Sequence, residues 1–126
     1  MNPAILAVGM HGASGRMGTR IIQLIQDDPG VTLAAALDRP DHPRLGEDVG
    51  PLVGLGPLGV PLAATLPPDP PVDVVIDFSQ PAGALALAEV CAARGLPLVV
   101  GTTGFEPEPR AELERAAGRI PLLIAS

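Results

Sequence analysis

Three glycines, Gly12, Gly15 and Gly18, recur every third residue in the run Gly12-Ala13-Ser14-Gly15-Arg16-Met17-Gly18. An apolar stretch, Ala4 to Met10, precedes them, and a segment with isoleucines at 21, 22 and 25 follows. Glycine here permits a tight turn and lets an anion approach the backbone without meeting a Cβ. The unpaired N–H groups at a helix start then bind that anion. The first gap is one residue longer than in the common dinucleotide fingerprint, and an unliganded strand-to-helix turn would read the same way.

Asp38 narrows the choice. It stands twenty residues after Gly18, at the end of a second apolar run from Val31 to Leu37, where a carboxylate accepts hydrogen bonds from a ribose diol. An acid capping a turn is the plainer alternative. Arg39 beside it matters for cofactor choice, because a guanidinium pairs with a ribose 2′-phosphate that the acid disfavours. Together they leave NADH and NADPH both open, and a freely solvated Arg39 fits equally well.

These residues need elements to hold them. Ala4 to Met10 reads as a buried parallel strand. Gly15 to Gln26 reads as a helix packing Met17, Ile21 and Ile25 on a sheet, with Ile22 and Leu24 widening the stripe. Asp27-Asp28-Pro29-Gly30 ends it, and Val31 to Leu37 is the next strand. Arg39 to Pro71 holds more than half of the chain's 16 prolines, so it reads as a long surface excursion with one short strand near Val60 to Leu62. Val74 to Ile76 forms a strand that ends at Asp77-Phe78-Ser79. Ser79 is placed to cap a helix running to Arg94, with Pro81 in its first turn and Gly95 as its left-handed cap. Leu96 to Val100 is a strand leading into Gly101-Thr102-Thr103-Gly104. A helix through Ala117 follows, with Arg110, Glu112, Glu114 and Arg115 on its wet side, then Gly118 and a last strand, Ile120 to Ile124. The alternation predicts an α/β fold: a single Rossmann-type domain over residues 1–126, doubly wound, with a mainly parallel sheet and helices on both faces. The polar clusters all fall at the carboxyl ends of strands, where such sheets bind ligands.

Composition agrees. Of 126 residues 47% are apolar and 17% charged, with two Phe and no Trp or Tyr, which suits an aliphatic core. A net charge of -6 argues against nucleic acid as a partner. All eight cations are Arg; there is no Lys. The single Cys91 excludes an internal disulfide, fits a reducing cytosol and reads as a small core residue. No apolar run is long enough to span a membrane, and Met1-Asn2-Pro3 lacks the basic start of a signal peptide, so a cytoplasmic protein is expected. No metal site is expected. His11 and His42 read as solvated, and Asp77 as a holder of neighbouring backbone amides rather than a catalytic group.

The segments Val8 to Gly18, Asp77-Phe78-Ser79 and Gly101-Thr102-Thr103-Gly104-Phe105 together resemble the amino-terminal half of the 4-hydroxy-tetrahydrodipicolinate reductases, also called dihydrodipicolinate reductases. Gly46-Glu47-Asp48-Val49-Gly50 is similar to the same family's loop after the acid. The resemblance implies an NAD(P)H-dependent oxidoreductase of lysine and diaminopimelate synthesis, reducing a cyclic, imine-like dicarboxylate. It implies that Gly12, Gly15, Arg16, Met17 and Gly18 surround the pyrophosphate, that Asp38 binds the adenosine ribose, and that Arg39 lies near the adenine or a 2′-phosphate. It places Gly101, Thr102 and Thr103 at the nicotinamide, Thr103 also at the substrate, Phe78 and Ser79 along the groove, and Ala125 and Ser126 at its close. Hydroxyls and main-chain groups at Thr102-Thr103 suit the orientation of a carboxamide. The family carries a second domain that supplies a proton-donating lysine and builds a homotetramer. A chain without Lys is therefore expected to hold cofactor without turnover, as a monomer or weak dimer with apolar surface exposed near its end. Two other readings stay open: the first domain of another NAD(P)-dependent dehydrogenase, or a non-enzymatic nucleotide- or coenzyme A-sensing module.

Overall fold

Strands and helices alternate through the computed structural model of the chain, which describes residues 5–101, 107–116, 118 and 120–124. In order they are β1 (Leu6–His11), α1 (Arg16–Gln26), β2 (Val31–Leu37), a one-turn α2 (Val49–Leu52), β3 (Leu62–Ala63), β4 (Val74–Asp77), α3 (Pro81–Arg94), β5 (Leu98–Val100), α4 (Pro107–Ala116) and β6 (Leu122–Ile124). The six strands form one sheet in the order β3-β2-β1-β4-β5-β6, each pair parallel. This is the doubly wound Rossmann order. The chain reverses its winding direction between β1 and β4, which opens a crevice at their carboxyl ends.

Both sheet faces are covered, so the central strands carry little polar sequence. On one face Val8, Met10, Leu33 and Ala36 pack with Ile22 and Ile25 of α1 and with Val49 and Val53 around α2. On the other, Leu37, Val75, Leu98 and Val100 pack with Ala84, Leu87, Ala88 and Cys91 of α3 and with Leu113 of α4. Cys91 is fully buried, and that burial pushes its thiol up to about 11, against a smaller opposite pull from Arg94. It is a core residue, as its setting among helix residues implied.

The β1–β2 register slips between Val8 and Gly9, whose partners are Leu33 and Ala35, so Ala34 is an extra residue in β2. Past it, Ala36 faces the α1 side and Leu37 the α3 side. Asp38, next along, thereby meets Ser14 at the start of α1.

Helix α1 is rotated from the expected stripe. Its buried residues are Gly18, Ile22 and Ile25, while Met17 and Leu24 are about half exposed. The cause is close backbone contact. A Cβ on Gly18 would collide with the Gly12 carbonyl oxygen and lie 2.8 Å from that of Ala13, so this edge of the helix must face the turn. Met17 is turned outward as a result.

The proline-rich excursion is more ordered than its composition implied. Asp48 accepts hydrogen bonds from the amides of Gly50 (2.8 Å), Leu58 (3.1 Å) and Gly59 (2.8 Å), folding the segment onto α2. These amides hold its carboxyl below the usual carboxylate range. Arg94 ties the far end down through the carbonyls of Leu66 and Pro67, each at 3.0 Å. Helix α3 carries Pro81 in its first turn and ends on Gly95 at φ +66°, as expected. Leu123 on the edge strand β6 is exposed.

Gly18→Ala should lower stability by about 1–3 kcal/mol, the usual cost of overpacking. Denaturant midpoints check this; an unchanged midpoint would mean that the turn relaxes freely.

Candidate functional site

Five backbone segments converge at the crevice. The amides of Gly12 and Ala13 donate to the Leu37 carbonyl at 2.9 and 3.0 Å, fixing the glycine turn to the end of β2. The amide of Phe78 donates to His11 at 3.0 Å, and that of Gly101 to Asp77 at 2.8 Å. A cleft of about 480 Å³ lies among them, with Gly12, Ser14, Gly15, Asp38, Arg39, Phe78 and Ser79 in its lining. The loop after β3, Ala64 to Leu66, and the outer face of α3 close its sides.

The three glycines differ in what they do. Gly12 has φ +79°, and a Cβ there would lie 2.5 Å from the Phe78 carbonyl oxygen, so it is needed for the approach of two strand ends. Gly18 packs the helix, as above. Gly15 is exposed, and an added Cβ would meet only the Gly12 oxygen, at 3.3 Å. It lines the cleft at the N-cap of α1, where no side chain caps the helix and no acid occupies the first turn. The first-turn amides lack intrahelical acceptors, and the helix dipole adds partial positive charge. A phosphate fits this cradle in both charge and space. Arg16 and Met17 are exposed in the same first turn.

Asp38 is 8% exposed. Its Oδ2 accepts from the Ser14 hydroxyl at 2.7 Å and the Ser14 amide at 3.1 Å, and its Oδ1 from the Arg39 amide at 2.9 Å. Burial pushes its carboxyl up. The Ser14 hydroxyl and the two amides outweigh that and hold it below the usual range. Arg39 pairs with Asp41 at 3.1 Å, both well exposed, so screening and side-chain entropy leave the guanidinium free to exchange partners.

A second acid lies deeper. Asp77, at the end of β4, is fully buried. Its Oδ1 accepts from the Ser79 hydroxyl at 2.6 Å and the Ser79 amide at 3.2 Å, and it lies 2.7 Å from His11 Nδ1. Asp77 does hold a neighbouring amide, but it holds two side chains as well. His11 is not solvated as expected: it is 8% exposed and lines the cleft floor. Ser79 does not cap α3 either. The N-cap is Gln80, without a side-chain bond, and the Ser79 hydroxyl one residue earlier donates to Asp77 instead. Gly83 makes room for the pair; a Cβ there would lie 2.9 Å from Ser79 Oγ and 3.1 Å from His11 Cε1. His42, also expected in solvent, bonds Ser14 Oγ at 3.0 Å.

Gly101 lies at the end of β5 against the Phe78 ring, which occupies the space its Cβ would need. Thr102, Thr103, Ala125 and Ser126 lie outside the described residues. Sequence reasoning missed His11, Ser14, His42, Ala64 to Leu66 and Gly83. Ser14 sits inside the glycine run and His11 directly before it, so both signalled their place by position; the others come near only through tertiary folding. Among the described residues no cluster of His, Cys, Asp and Glu is arranged to hold a metal, and no helix is long and apolar enough to cross a membrane.

Comparison with known proteins follows the same outline. The family model described as dihydrodipicolinate reductase, N-terminus, matches residues 6–126. A 4-hydroxy-tetrahydrodipicolinate reductase of Anaeromyxobacter dehalogenans is 41% identical over 119 residues, which are 94% of this chain and 44% of the relative. One from Citrifermentans bemidjiense is 43% identical over 122 residues, 96% of this chain and 46% of the relative. The chain thus spans less than half the length of these curated relatives. Among solved structures, dipicolinate-bound dihydrodipicolinate reductase from Paenisporosarcina sp. superposes with TM-score 0.68 at 22% identity, covering 96% of this chain and 47% of that one, which shows the shared fold.

Because its folded-state carboxyl is lowered, Asp38 stabilises the fold fully above the unfolded value of about 3.9, and this contribution is lost as pH falls through the lower folded value. Unfolding midpoints between pH 6 and 2.5 should therefore fall more steeply for the native chain than for Asp38→Asn. Parallel curves would show that the carboxylate is not held in this way.

Proposed function

The chain belongs to the dihydrodipicolinate reductase amino-terminal domain family, and from that membership we propose that its cleft holds NADH or NADPH for reduction of 4-hydroxy-tetrahydrodipicolinate to tetrahydrodipicolinate. The observation that carries this reading is the meeting of two complementary groups in one crevice at the switch point. One is the uncapped, glycine-lined start of α1, suited to a pyrophosphate; the other is the Asp38 carboxylate, suited to a ribose diol.

In this reading Gly12, Gly15, Arg16, Met17 and Gly18 hold the pyrophosphate, mainly through main-chain groups. Asp38 binds the adenosine ribose, and Arg39 turns from Asp41 to meet the adenine or a 2′-phosphate. Phe78 and Ser79 line the groove toward the reacting end, where Gly101, Thr102 and Thr103 orient the carboxamide and Ala125 and Ser126 close the site. Thr103 also touches the substrate. A bound reduced nicotinamide supplies the hydride. The chain's own contribution is to place that ring and shield it. We place the whole reductase in the cytoplasm, in lysine and diaminopimelate synthesis, as a homotetramer whose proton donor is a lysine outside these residues. The 126-residue chain alone binds cofactor without turning over substrate, as a monomer or weak dimer.

Calorimetric titration with NADH, NADPH and coenzyme A tests the reading. One of the dinucleotides should bind, and Gly15→Val, which fills the cradle without touching the packing of Gly18, should weaken it by about a hundredfold or more while the protein stays folded. Binding of coenzyme A alone, or normal affinity in folded Gly15→Val, would overturn it. Arg39→Ala should weaken NADPH about tenfold more than NADH, the worth of one charge-assisted contact. Equal losses would reject the 2′-phosphate role.

A further inference from the structure

At the ribose end of the cleft, Ser14, His42 and Asp38 form a hydrogen-bonded chain whose direction is set by the backbone. The Arg44 amide donates to His42 Nδ1 at 3.0 Å, so Nδ1 is an acceptor and the ring hydrogen sits on Nε2. That Nε2–H points at Ser14 Oγ, 3.0 Å away, and fills an acceptor site of the hydroxyl. The one proton of Ser14 Oγ therefore goes to Asp38 Oδ2, at 2.7 Å. The Ser14 amide donates to the same oxygen, and the Arg39 amide to Oδ1.

The consequence concerns what this edge of the cleft offers a ligand. The amide and hydroxyl hydrogens of Ser14 and the amide hydrogen of Arg39 are all committed to the carboxylate. A ribose diol finds an ionised acceptor with lone pairs to spare on Oδ1. A ribose 2′-phosphate finds negative charge at the same place, and to gain the Ser14 hydroxyl as a donor it must break a chain that His42 holds in the other sense. Resting on the reading that this cleft takes a nicotinamide dinucleotide, we propose that Ser14 and His42 are specificity-determining positioning residues. They aim the Asp38 carboxylate at an unphosphorylated ribose and so make this protein prefer NADH over NADPH. The guanidinium of Arg39 moderates that preference but does not reverse it, since its exposed pair with Asp41 leaves it solvated. Neither residue is required to touch the reacting atoms.

Dissociation constants for both cofactors, measured by fluorescence titration on the native protein and three variants, test this. The native protein should bind NADH about tenfold or more tightly than NADPH, a ratio within the reach of one charge-linked hydrogen-bond network. Ser14→Ala removes the link, and His42→Phe frees the hydroxyl to rotate; each should bring the ratio to within about threefold. His42→Gln, whose amide N–H2 reaches the same oxygen, should restore it. A merely structural role would weaken both cofactors together and leave the ratio alone. Three results overturn the proposal: a ratio unchanged in Ser14→Ala, equal losses for both cofactors, or a selective loss of NADPH in His42→Phe. Native protein that binds NADPH as tightly as NADH defeats this inference and leaves the cofactor reading intact. Native protein that binds neither defeats both.

Discussion

Gly18 lies so close under the carbonyls of Gly12 and Ala13 that no side chain fits between them, and the geometry of the cleft follows from that contact. It draws the start of α1 against the end of β1 and sets the helix's rotation about its axis. It also leaves the first-turn amides facing the crevice rather than the core. Gly12 does the same job sideways, letting the Phe78 carbonyl come up against the turn. Two of the three glycines are thus committed to folding. Gly15, exposed at the helix start, keeps its α-carbon open to a ligand, so the one motif combines a packing requirement with a binding surface.

Charge is arranged around that contact in two layers. The deeper layer is Asp77, whose carboxylate is stabilised inside the sheet end by Ser79 and His11 and which braces the cleft floor. Burying a carboxylate without such partners would cost several kcal/mol. The shallower layer is Asp38, brought to Ser14 by the extra residue in β2. Both acids sit at strand ends on either side of β1, and the uncapped helix end lies between them. A ligand with a negative centre and a hydroxyl-rich flank matches this alternation better than a uniformly anionic one.

Much of this was legible in the residues. The order of strands and helices, the bounds of β2 and α3, the Gly95 cap and the buried role of Cys91 follow from periodicity and from Pro and Gly placement, which are local properties. Asp38 was legible because its distance from the glycine run reflects one βαβ unit. What escaped were properties set by tertiary contact. Hydrophobic spacing placed Met17 and Leu24 on the packed face of α1, but the close approach at Gly18 turned them outward. Ser79 has the residue type of a helix cap, but the helix begins one residue later and the Ser79 hydroxyl is turned to Asp77. His11 looked solvated because nothing near it in sequence is acidic, and His42 because it lies in a proline-rich loop. Their partners lie 66 and 28 residues away. The order in the proline-rich excursion was hidden for the same reason, since Asp48 at the N-cap of α2 and Arg94 at the end of α3 organise it through contacts made only on folding.

In the proposed mode of binding a dinucleotide lies across the crevice between β1 and β4, phosphates on the start of α1 and ribose on Asp38. Amide chemical-shift mapping during titration with NADH reads that placement directly. The largest shifts are expected at Gly12 to Gly18, at Asp38 and Arg39 and at Phe78 and Ser79, with α4 and the outer edge at β6 unmoved apart from the residues closing the reacting end. Shifts centred elsewhere on the sheet, or none at saturating NADH, would contradict it.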